Sequence, residues 1–259
     1  MHMDRRQFVK NLGLGTASLS MGSLVTASSC APSGDSSLKQ NVKEGEDGQF
    51  LFIGDDIAIA QTEYGKVQGY LLNHVYTFLG VPYGADTSGK NRFMPPQKPE
   101  PWTDVRPAVF YGNTAPQRME NRWPNNYGTF ADHWNYWDVS EDCLYLNVWT
   151  PGIADGKKRP VLVWLHGGGF TNGSGIEQDG YHGENISREG DIVFCSINHR
   201  LGPIGFSDLS GVGGEAYKDS GNVGMLDIIA ALRWVHDNIA NFGGDPGNVT
   251  VMGQSGGGS

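Results

Sequence analysis

The sequence of 259 residues contains no run of eighteen apolar residues, so an ordinary transmembrane helix is not expected. It contains three cysteines, Cys30, Cys143 and Cys195, which are far apart and lack metal-ligand spacing. A disulfide scaffold and a zinc site are therefore not indicated. Basic residues are the minority, 19 against 28 acidic ones, and the net charge of −9 argues against nucleic acid as the main partner.

Nucleotide-binding loops are also missing. Glycine is abundant, with 38 residues, and two runs stand out at positions 167–169 and 256–258. A phosphate-binding loop would need G-x-x-x-x-G-K-[ST], and a dinucleotide fold would need G-x-G-x-x-G at the start of a helix. Neither run has the lysine or the spacing, so both must have another use.

The N-terminus has the pattern of a targeting segment. Arg5 and Arg6 precede Phe8 and Lys10, and a mildly apolar Gly/Ser-rich stretch follows. This resembles a twin-arginine export signal, the alternative being a merely basic N-terminus. We expect residues 1–30 to act as the signal segment and to engage the export machinery through the arginine pair. The protein would then be exported, to the periplasm, the cell surface or the medium.

Cys30 closes the predicted signal segment and is a candidate for lipid attachment, which would make the protein a lipoprotein. Ala27 stands where such sites usually carry Leu or another aliphatic residue, so both outcomes stay open. The following stretch, residues 31–55, begins rich in Ser, Gly, Lys, Glu and Asp. It is predicted to be a disordered linker.

The remaining residues, 56–259, are enough for one sizeable domain with a hydrophobic core. They alternate strand-like and helix-like patterns, which predicts an α/β fold with a central, mostly parallel sheet flanked by helices. A hairpin is expected around Tyr64-Gly65, and a helix from Met225 to Ile239 with Asn222 as N-cap and Gly243 as its stop. Further strands are predicted at Val75–Leu79, Cys143–Trp149, Val161–Leu165, Ile192–Ile197 and Val249–Met252. The run Val161–Leu165 is continuously apolar, as in a strand covered on both faces.

A long aromatic-rich segment extends from Met119 to Val139. Segments of this length without their own secondary structure are usually functional or mobile. Its rings could form a wall or lid over an apolar substrate, or they could pack the segment onto its own domain. The sequence leaves both interpretations open.

The motif that carries chemistry is Gly253-Gln254-Ser255-Gly256-Gly257, which follows a β-branched run. Gly-x-Ser-x-Gly after a strand is the pattern of a nucleophile elbow, a tight turn that projects the serine hydroxyl above the sheet edge. The flanking glycines avoid collisions in this strained turn. Ser255 is therefore the candidate nucleophile, and the alternative is a flexible Gly/Ser loop.

Acyl transfer also needs N–H donors for the negative oxygen of the tetrahedral intermediate. The triple glycine after Leu165-His166 lies at the end of a predicted strand, where backbone N–H groups can approach a ligand closely. Gly168 and Gly169, together with Gly256 just after the nucleophile, are the predicted oxyanion hole.

On the basis of these motifs, the chain resembles the type B carboxylesterases, the cholinesterase-like branch of the α/β hydrolases. The resemblance extends over most of residues 56–259, and the blocks at Glu141 and at Phe242–Gly257 resemble the two sequence signatures of that family. The matching blocks are Phe78–Tyr83, Arg92-Phe93, Glu141–Val148, His166–Phe170, Asn198–Gly202, Gly221–Gly224 and Asn238–Gly257.

The resemblance implies an α/β-hydrolase fold and hydrolysis of a small-molecule ester through an acyl-serine intermediate, without a cofactor. It also implies two internal ion pairs with a structural role, Arg92 with Glu141 and Arg200 with Asp227. A non-catalytic binding or adhesion member of the same fold is the alternative. Such members tend to have lost the nucleophile, whereas Ser255 is present here.

Two departures from the family pattern stand out. Family members often pair the cysteine of the Glu-Asp-Cys block with one upstream, but Ala115 holds that place here, so Cys143 is expected to be a free, buried thiol. Gln254 stands where many members have Glu. This removes a negative charge beside the nucleophile and weakens any preference for cationic alcohols.

The general base is not expected among these residues. In the α/β-hydrolase order an acidic residue and then a histidine follow the serine. All seven histidines precede Ser255, and the two inside family motifs, His166 and His199, are not the family's catalytic histidine. We therefore expect an N-terminal portion that is truncated just after the elbow, lacks the catalytic acid and histidine, and is inactive and poorly folded alone.

Overall fold

The computed structural model describes residues 50–118 and 138–259. The predicted signal segment, most of the predicted linker and most of the aromatic segment 119–139 lie outside the described residues. The strands within the described ranges are β1 (Leu51–Phe52), β2 (Ile59–Gln61), β3 (Lys66–Gln68), β4 (Tyr70–Leu72), β5 (Val75–Pro82), β6 (Arg106–Pro107), β7 (Tyr145–Thr150), β8 (Arg159–Leu165), β9 (Val193–Ile197) and β10 (Gly244–Gly253).

The α-helices of the described chain are α1 (Glu184–Gly190), α2 (Gly202–Phe206), α3 (Ser210–Gly213) and α4 (Val223–Asn238). Short 3₁₀ turns connect several elements, including one directly after the last strand. No helix within residues 50–118 and 138–259 is long and apolar enough to cross a membrane.

Seven strands form the main sheet, in the order β1-β4-β5-β7-β9-β8-β10. The pairs from β1 to β9 are antiparallel, whereas β9, β8 and β10 run parallel to one another. The sheet is thus mixed, with its parallel part at the end that leads to the predicted nucleophile. The arrangement agrees with the predicted α/β-hydrolase fold, although four of the six strand pairs are antiparallel where a mostly parallel sheet was predicted.

The first strand of the described residues lies before the predicted domain boundary at residue 56. Leu51 and Phe52, at the end of the predicted linker, pair with β4 in the main sheet. The predicted hairpin is confirmed, because β2 and β3 pair antiparallel around the Thr62–Gly65 turn. It forms a second, three-stranded sheet with β6.

Two apolar clusters lie on opposite faces of the main sheet, as the side-chain alternation of strands requires. The larger cluster joins Val148, Val163 and Cys195 of the strands to Ala231 and Val235 of helix α4. The smaller cluster centres on Trp149 and Phe194. Helix α1 covers that second face, where the Ser187 hydroxyl donates to the Trp149 carbonyl at 3.1 Å. Helices therefore flank both faces, as predicted.

Strand β8 is buried on one face only, whereas its sequence predicts burial on both faces. Val161, Val163 and Leu165 are buried beneath helix α4, but Leu162 and Trp164 on the other face are only partly buried. Trp164 packs against the ring of Tyr181 with centroids 4.8 Å apart. The prediction of a strand at the continuous apolar run is confirmed. Its second face is only partly buried because the short helix α1 covers less of the sheet than the long helix α4 does.

Helix α4 has the ends that the sequence predicts. Asn222 occupies the N-cap position, although its side chain makes no capping hydrogen bond. The helix ends at Asn238 and continues as a 3₁₀ turn to Phe242, where Gly243 stops it with a left-handed φ of 78°. Gly243 suits this role because its missing Cβ removes the cost of positive φ.

Candidate active site

Ser255 lies at the turn that ends strand β10. Its φ is 53°, a left-handed conformation that is costly for a residue with a side chain. The turn needs glycine on both sides. A Cβ on Gly253 would lie 2.0 Å from the Gly257 carbonyl oxygen, and one on Gly257 would lie 2.2 Å from the Leu165 carbonyl oxygen. The chain therefore turns sharply here and leaves the Ser255 side chain exposed.

The glycine run after β8 forms a second tight turn. Gly168 has a φ of 101° and Gly169 a φ of 59°. A Cβ on Gly168 would lie 1.9 Å from the Asn172 carbonyl oxygen, so only glycine fits without rearrangement. The turn is closed by the Thr171 amide, which donates to the Gly168 carbonyl at 3.1 Å. We call residues 167–172 the glycine loop.

The two turns meet because β8 and β10 are neighbouring parallel strands, with Leu165 opposite Gly253. At the meeting point, a Cβ on Gly256 would lie 3.0 Å from the Gly169 amide nitrogen. The structure thus brings together the glycine loop, Gly256 and Ser255, the residues that the sequence nominates for the site. Their chemical roles stay predictions.

The described part of the chain places no histidine on the Ser255 hydroxyl, and its hydroxyl has no hydrogen-bond partner there. His166 and His199 instead stack against each other below the glycine loop, with ring centroids 4.9 Å apart and planes 14° apart. Each Nδ1 contacts a backbone carbonyl of the next residue, at 2.8 Å for His166 and 2.9 Å for His199. Both side chains are buried, so they support the loop from within.

This histidine stack was not foreseen from sequence. His166 and His199 each follow one of two parallel strands, β8 and β9, that prove to be neighbours. Their shared position just after the two strands is visible in the sequence, but the pairing of those strands is not. A residue of the same type at equivalent ends of two strands is the signal that could have pointed to the stack.

The buried His199 gives a testable pH dependence. Burial lowers its pKa from 6.5 to about 4, because the imidazolium would lose its hydration. As pH falls from 6.5 towards 4, the unfolded chain binds a proton that the folded chain rejects, so stability is lost in this window. Once the pH is below 4, the total loss in the free energy of unfolding is on the order of 3 kcal/mol. We expect His199→Asn, which keeps an N–H near the Nδ1 position, to lose about 2–3 kcal/mol less between pH 7 and pH 4.5 in urea unfolding of the full-length protein.

His236→Asn, which removes an exposed histidine from helix α4, is the matched control and should follow the unmodified protein. If His199→Asn and the unmodified protein lost the same stability across this window, His199 would not be the group that resists protonation.

Arg200 and Asp227 form the buried ion pair that the family resemblance implies. Both side chains are 0% exposed. The guanidinium donates to the two carboxylate oxygens at 2.8 and 2.6 Å, and the Arg200 amide donates to one of them at 3.0 Å. A further guanidinium N–H reaches the Met94 carbonyl at 2.8 Å. The pair fastens helix α4 to the segment after β9.

Arg92 and Glu141 also pair, with two contacts of 2.6 Å. The side chain of Arg92 is 46% exposed, however, and that of Glu141 is 20% exposed. The expectation of an internal pair is therefore wrong in this case, because the extended segment around Arg92 runs along the surface. Exposed pairs of this kind contribute little stability, on the order of 0–1 kcal/mol.

Cys143 is free and fully buried, as its missing partner at Ala115 predicts. Burial raises its pKa well above the ordinary value, and burial also raises the pKa of Cys195. Both thiols stay protonated, so neither is a candidate nucleophile. Among the described residues, no group of three or more His, Cys, Asp or Glu side chains is placed to hold a metal ion.

Known proteins similar to this chain include esterases. The sequence model of the carboxylesterase family matches residues 56–259. Para-nitrobenzyl esterase of Bacillus subtilis (strain 168) is 44% identical over 203 residues, which cover 77% of this chain and 38% of that protein. Phenmedipham hydrolase of Pseudarthrobacter oxydans is 46% identical over 199 residues, again 77% of this chain and 38% of that protein.

Among solved structures, an esterase from the anaerobe Clostridium hathewayi, which can hydrolyse aliphatic aromatic polyesters, superimposes with a TM-score of 0.74. It is 43% identical and matches 81% of this chain and 40% of its own. The chain thus spans about 38% of the length of the two curated relatives. With the family match across residues 56–259 and the shared fold, the chain belongs to the carboxylesterase family.

Proposed function

We propose that the protein is a carboxylic ester hydrolase that works through an acyl-serine intermediate. The observation that carries this proposal is the strained Ser255 conformation directly beside the glycine loop. A residue with a side chain keeps a positive φ only where the surrounding structure enforces it, and such strain is concentrated at functional sites. Membership of the carboxylesterase family supports the same reaction class.

In the first step, the Ser255 oxygen adds to the ester carbonyl carbon while its proton passes to a general base. The carbonyl oxygen becomes negative, and the backbone N–H groups of Gly168, Gly169 and Gly256 donate to it. Losing one such donor typically costs on the order of 10²–10³ in turnover. The bond to the alcohol oxygen then breaks, the alcohol takes the proton from the base, and the acyl group stays on the serine.

In the second step, water adds to the acyl carbon and gives its proton to the base. The bond to the Ser255 oxygen breaks, the acid leaves, and the serine recovers its proton. For the base and the group that orients it, we propose a histidine and an acidic residue outside these 259 residues. In this fold they follow the serine in chain order. The chain supplies the nucleophile and the oxyanion donors of the site.

The alternative of a non-catalytic binding or adhesion protein has less support. Binding alone does not require a serine of positive φ beside a tight glycine loop, and this chain has both. No feature of the described residues favours adhesion over hydrolysis.

Covalent labelling tests the proposed function. A fluorophosphonate ester reacts with an activated serine by displacing fluoride, so the full-length protein should gain one phosphonyl group per chain, on Ser255. Peptide mass mapping locates the adduct, and hydrolysis of para-nitrobenzyl acetate should disappear in proportion to labelling. The similarity to para-nitrobenzyl esterase suggests this first assay ester. An adduct on another serine, or full activity after complete labelling of Ser255, would contradict the proposal.

A further inference from the structure

A cavity of about 590 Å³ lies beside the glycine loop. Thr171 and Asn172 of the loop form one wall, Pro203 and Ile204 at the start of helix α2 form another, and Arg118 contributes from a third side. A volume of this order is typical of a small-molecule pocket. Nothing in the reaction described above assigns a role to this cavity.

The cavity is tied directly to the predicted oxyanion hole. Besides the amide bond already described, the Thr171 hydroxyl donates to the Gly168 carbonyl at 3.0 Å. Thr171 therefore faces the cavity while it holds one of the predicted oxyanion donors. Because Thr171 and Asn172 belong to the same loop as Gly168 and Gly169, a ligand in the cavity would lie against the glycine loop. The cavity is therefore a candidate for holding part of the ester.

The segment that presents Arg118 is fixed to the loop. The Gln117 side-chain amide donates to the Gly173 carbonyl at 2.9 Å and accepts from the Gly173 amide at 2.8 Å. These reciprocal bonds hold residue 117 against the end of the glycine loop. Arg118, the next residue, is thereby positioned at the cavity wall.

One charged side chain lines the described part of the cavity. Arg118 carries the only charge among the described residues that line it, and no carboxylate of residues 50–118 or 138–259 forms an ion pair with it. Beside the nucleophile stands the neutral Gln254, whose side-chain oxygen would lie 2.2 Å from a Cβ on Gly167. Within residues 50–118 and 138–259, the guanidinium of Arg118 has no carboxylate partner, and the neighbour of the predicted nucleophile is neutral. Together these two features favour a negatively charged ligand.

We propose that this cavity binds the carboxylate of an anionic ester, with Arg118 as the residue that determines this specificity. A guanidinium matches a carboxylate with two parallel N–H···O bonds, so it orients the ester as well as attracting it. The inference rests on the proposed esterase function and narrows its substrate class. The carboxylate belongs to the acyl part or to the alcohol part of the ester, and the experiment separates these two cases.

The test compares matched charged and neutral esters on the full-length protein. For the acyl part, the pair is the 4-nitrophenyl monoester of adipic acid and the 4-nitrophenyl ester of adipic acid monoamide. For the alcohol part, the pair is 4-acetoxybenzoate and 4-acetoxybenzamide. Each pair differs only in carboxylate against amide. The measured quantity is the ratio of kcat/KM for the charged ester to kcat/KM for its neutral partner.

In the unmodified protein the ratio should exceed one for at least one pair and should fall as NaCl is raised, because salt screens the attraction. Arg118→Gln should lower that ratio about threefold to tenfold, and Arg118→Glu should lower it further. Arg118→Lys, which keeps the charge but loses the paired geometry, should recover part of it. Arg233→Gln removes the same charge from helix α4, which lines a different cavity, and should leave the ratio unchanged.

The inference is overturned if both ratios stay below one in the unmodified protein, or if Arg118→Gln and Arg233→Gln change them equally. If the Arg118 variants fold poorly, the salt dependence of the two ratios in the unmodified protein remains as a test. Ratios that do not fall as NaCl is raised would count against the inference. Failure of the proposed function gives a different result, because no ester of either pair would then be hydrolysed in a manner that depends on Ser255.

Discussion

Ser255→Ala in the full-length protein should reduce kcat for ester hydrolysis by on the order of 10⁴–10⁶, while folding and stability stay close to those of the unmodified protein. The large effect follows from the proposed mechanism, in which the Ser255 hydroxyl oxygen forms the covalent intermediate. The small structural effect follows because the Ser255 side chain is exposed, and among the described residues its hydroxyl makes no hydrogen bond. Steady-state kinetics with para-nitrobenzyl acetate and urea unfolding measure the two quantities.

Ser259→Ala is the matched control. It removes the same kind of hydroxyl four residues later, where the side chain donates to the Ser255 carbonyl at 3.1 Å. We expect its kcat to stay within a few-fold of the unmodified value. A Ser255→Ala protein that kept a tenth of the activity would show that the nucleophile lies elsewhere, and the elbow would then need another explanation.

Asp227→Asn should destabilise the full-length protein by about 3–5 kcal/mol. The substitution keeps the shape of the side chain but removes its charge, which leaves the Arg200 guanidinium buried without compensation. Both members of the pair are fully buried, and three Arg200 N–H groups depend on the carboxylate. The free energy of unfolding, from urea titration with a fixed slope, measures the loss.

Glu141→Gln provides the comparison within the same protein, since it makes the same kind of change in the half-exposed pair with Arg92. We expect a loss of about 0–1 kcal/mol there, because water replaces the lost interaction. Equal losses in the two variants would mean that burial does not govern the strength of these pairs. A larger loss for Glu141→Gln would point to a role for the extended segment around Arg92 that its exposure does not indicate.

The parts of the site that sequence predicted are those in which backbone geometry demands glycine. The elbow at Ser255 and the turn at Gly168 leave a direct trace in the sequence, because a Cβ at the flanking positions would collide with the backbone. The order of strands leaves a weaker trace. The predicted strands are confirmed. Their mixed parallel and antiparallel pairing could not be predicted, because the alternation of apolar residues does not specify which strands become neighbours in the sheet.

The contacts that support the site were not predictable for the same reason. The stack of His166 on His199 and the bonds between Gln117 and Gly173 each join segments that are distant in the chain. Likewise, the exposure of Arg92 follows from the position of its segment on the protein surface. The resemblance that pairs Arg92 with Glu141 does not specify that position. Sequence therefore predicts turns and strands here, and the side-chain contacts between them require the structure.

The pairing of β10 has a consequence for the order in which the protein folds. The early strands β4 and β5 pair with their neighbours in sequence, with Leu72 opposite Val75. The strand that leads to Ser255 instead pairs with β8, far earlier in the chain, with Val249 opposite Val161. Local pairs close with little loss of chain entropy, whereas distant parallel pairs close slowly. During synthesis the antiparallel half of the sheet can assemble first, and Ser255 takes its strained conformation only after β8 and β10 have paired.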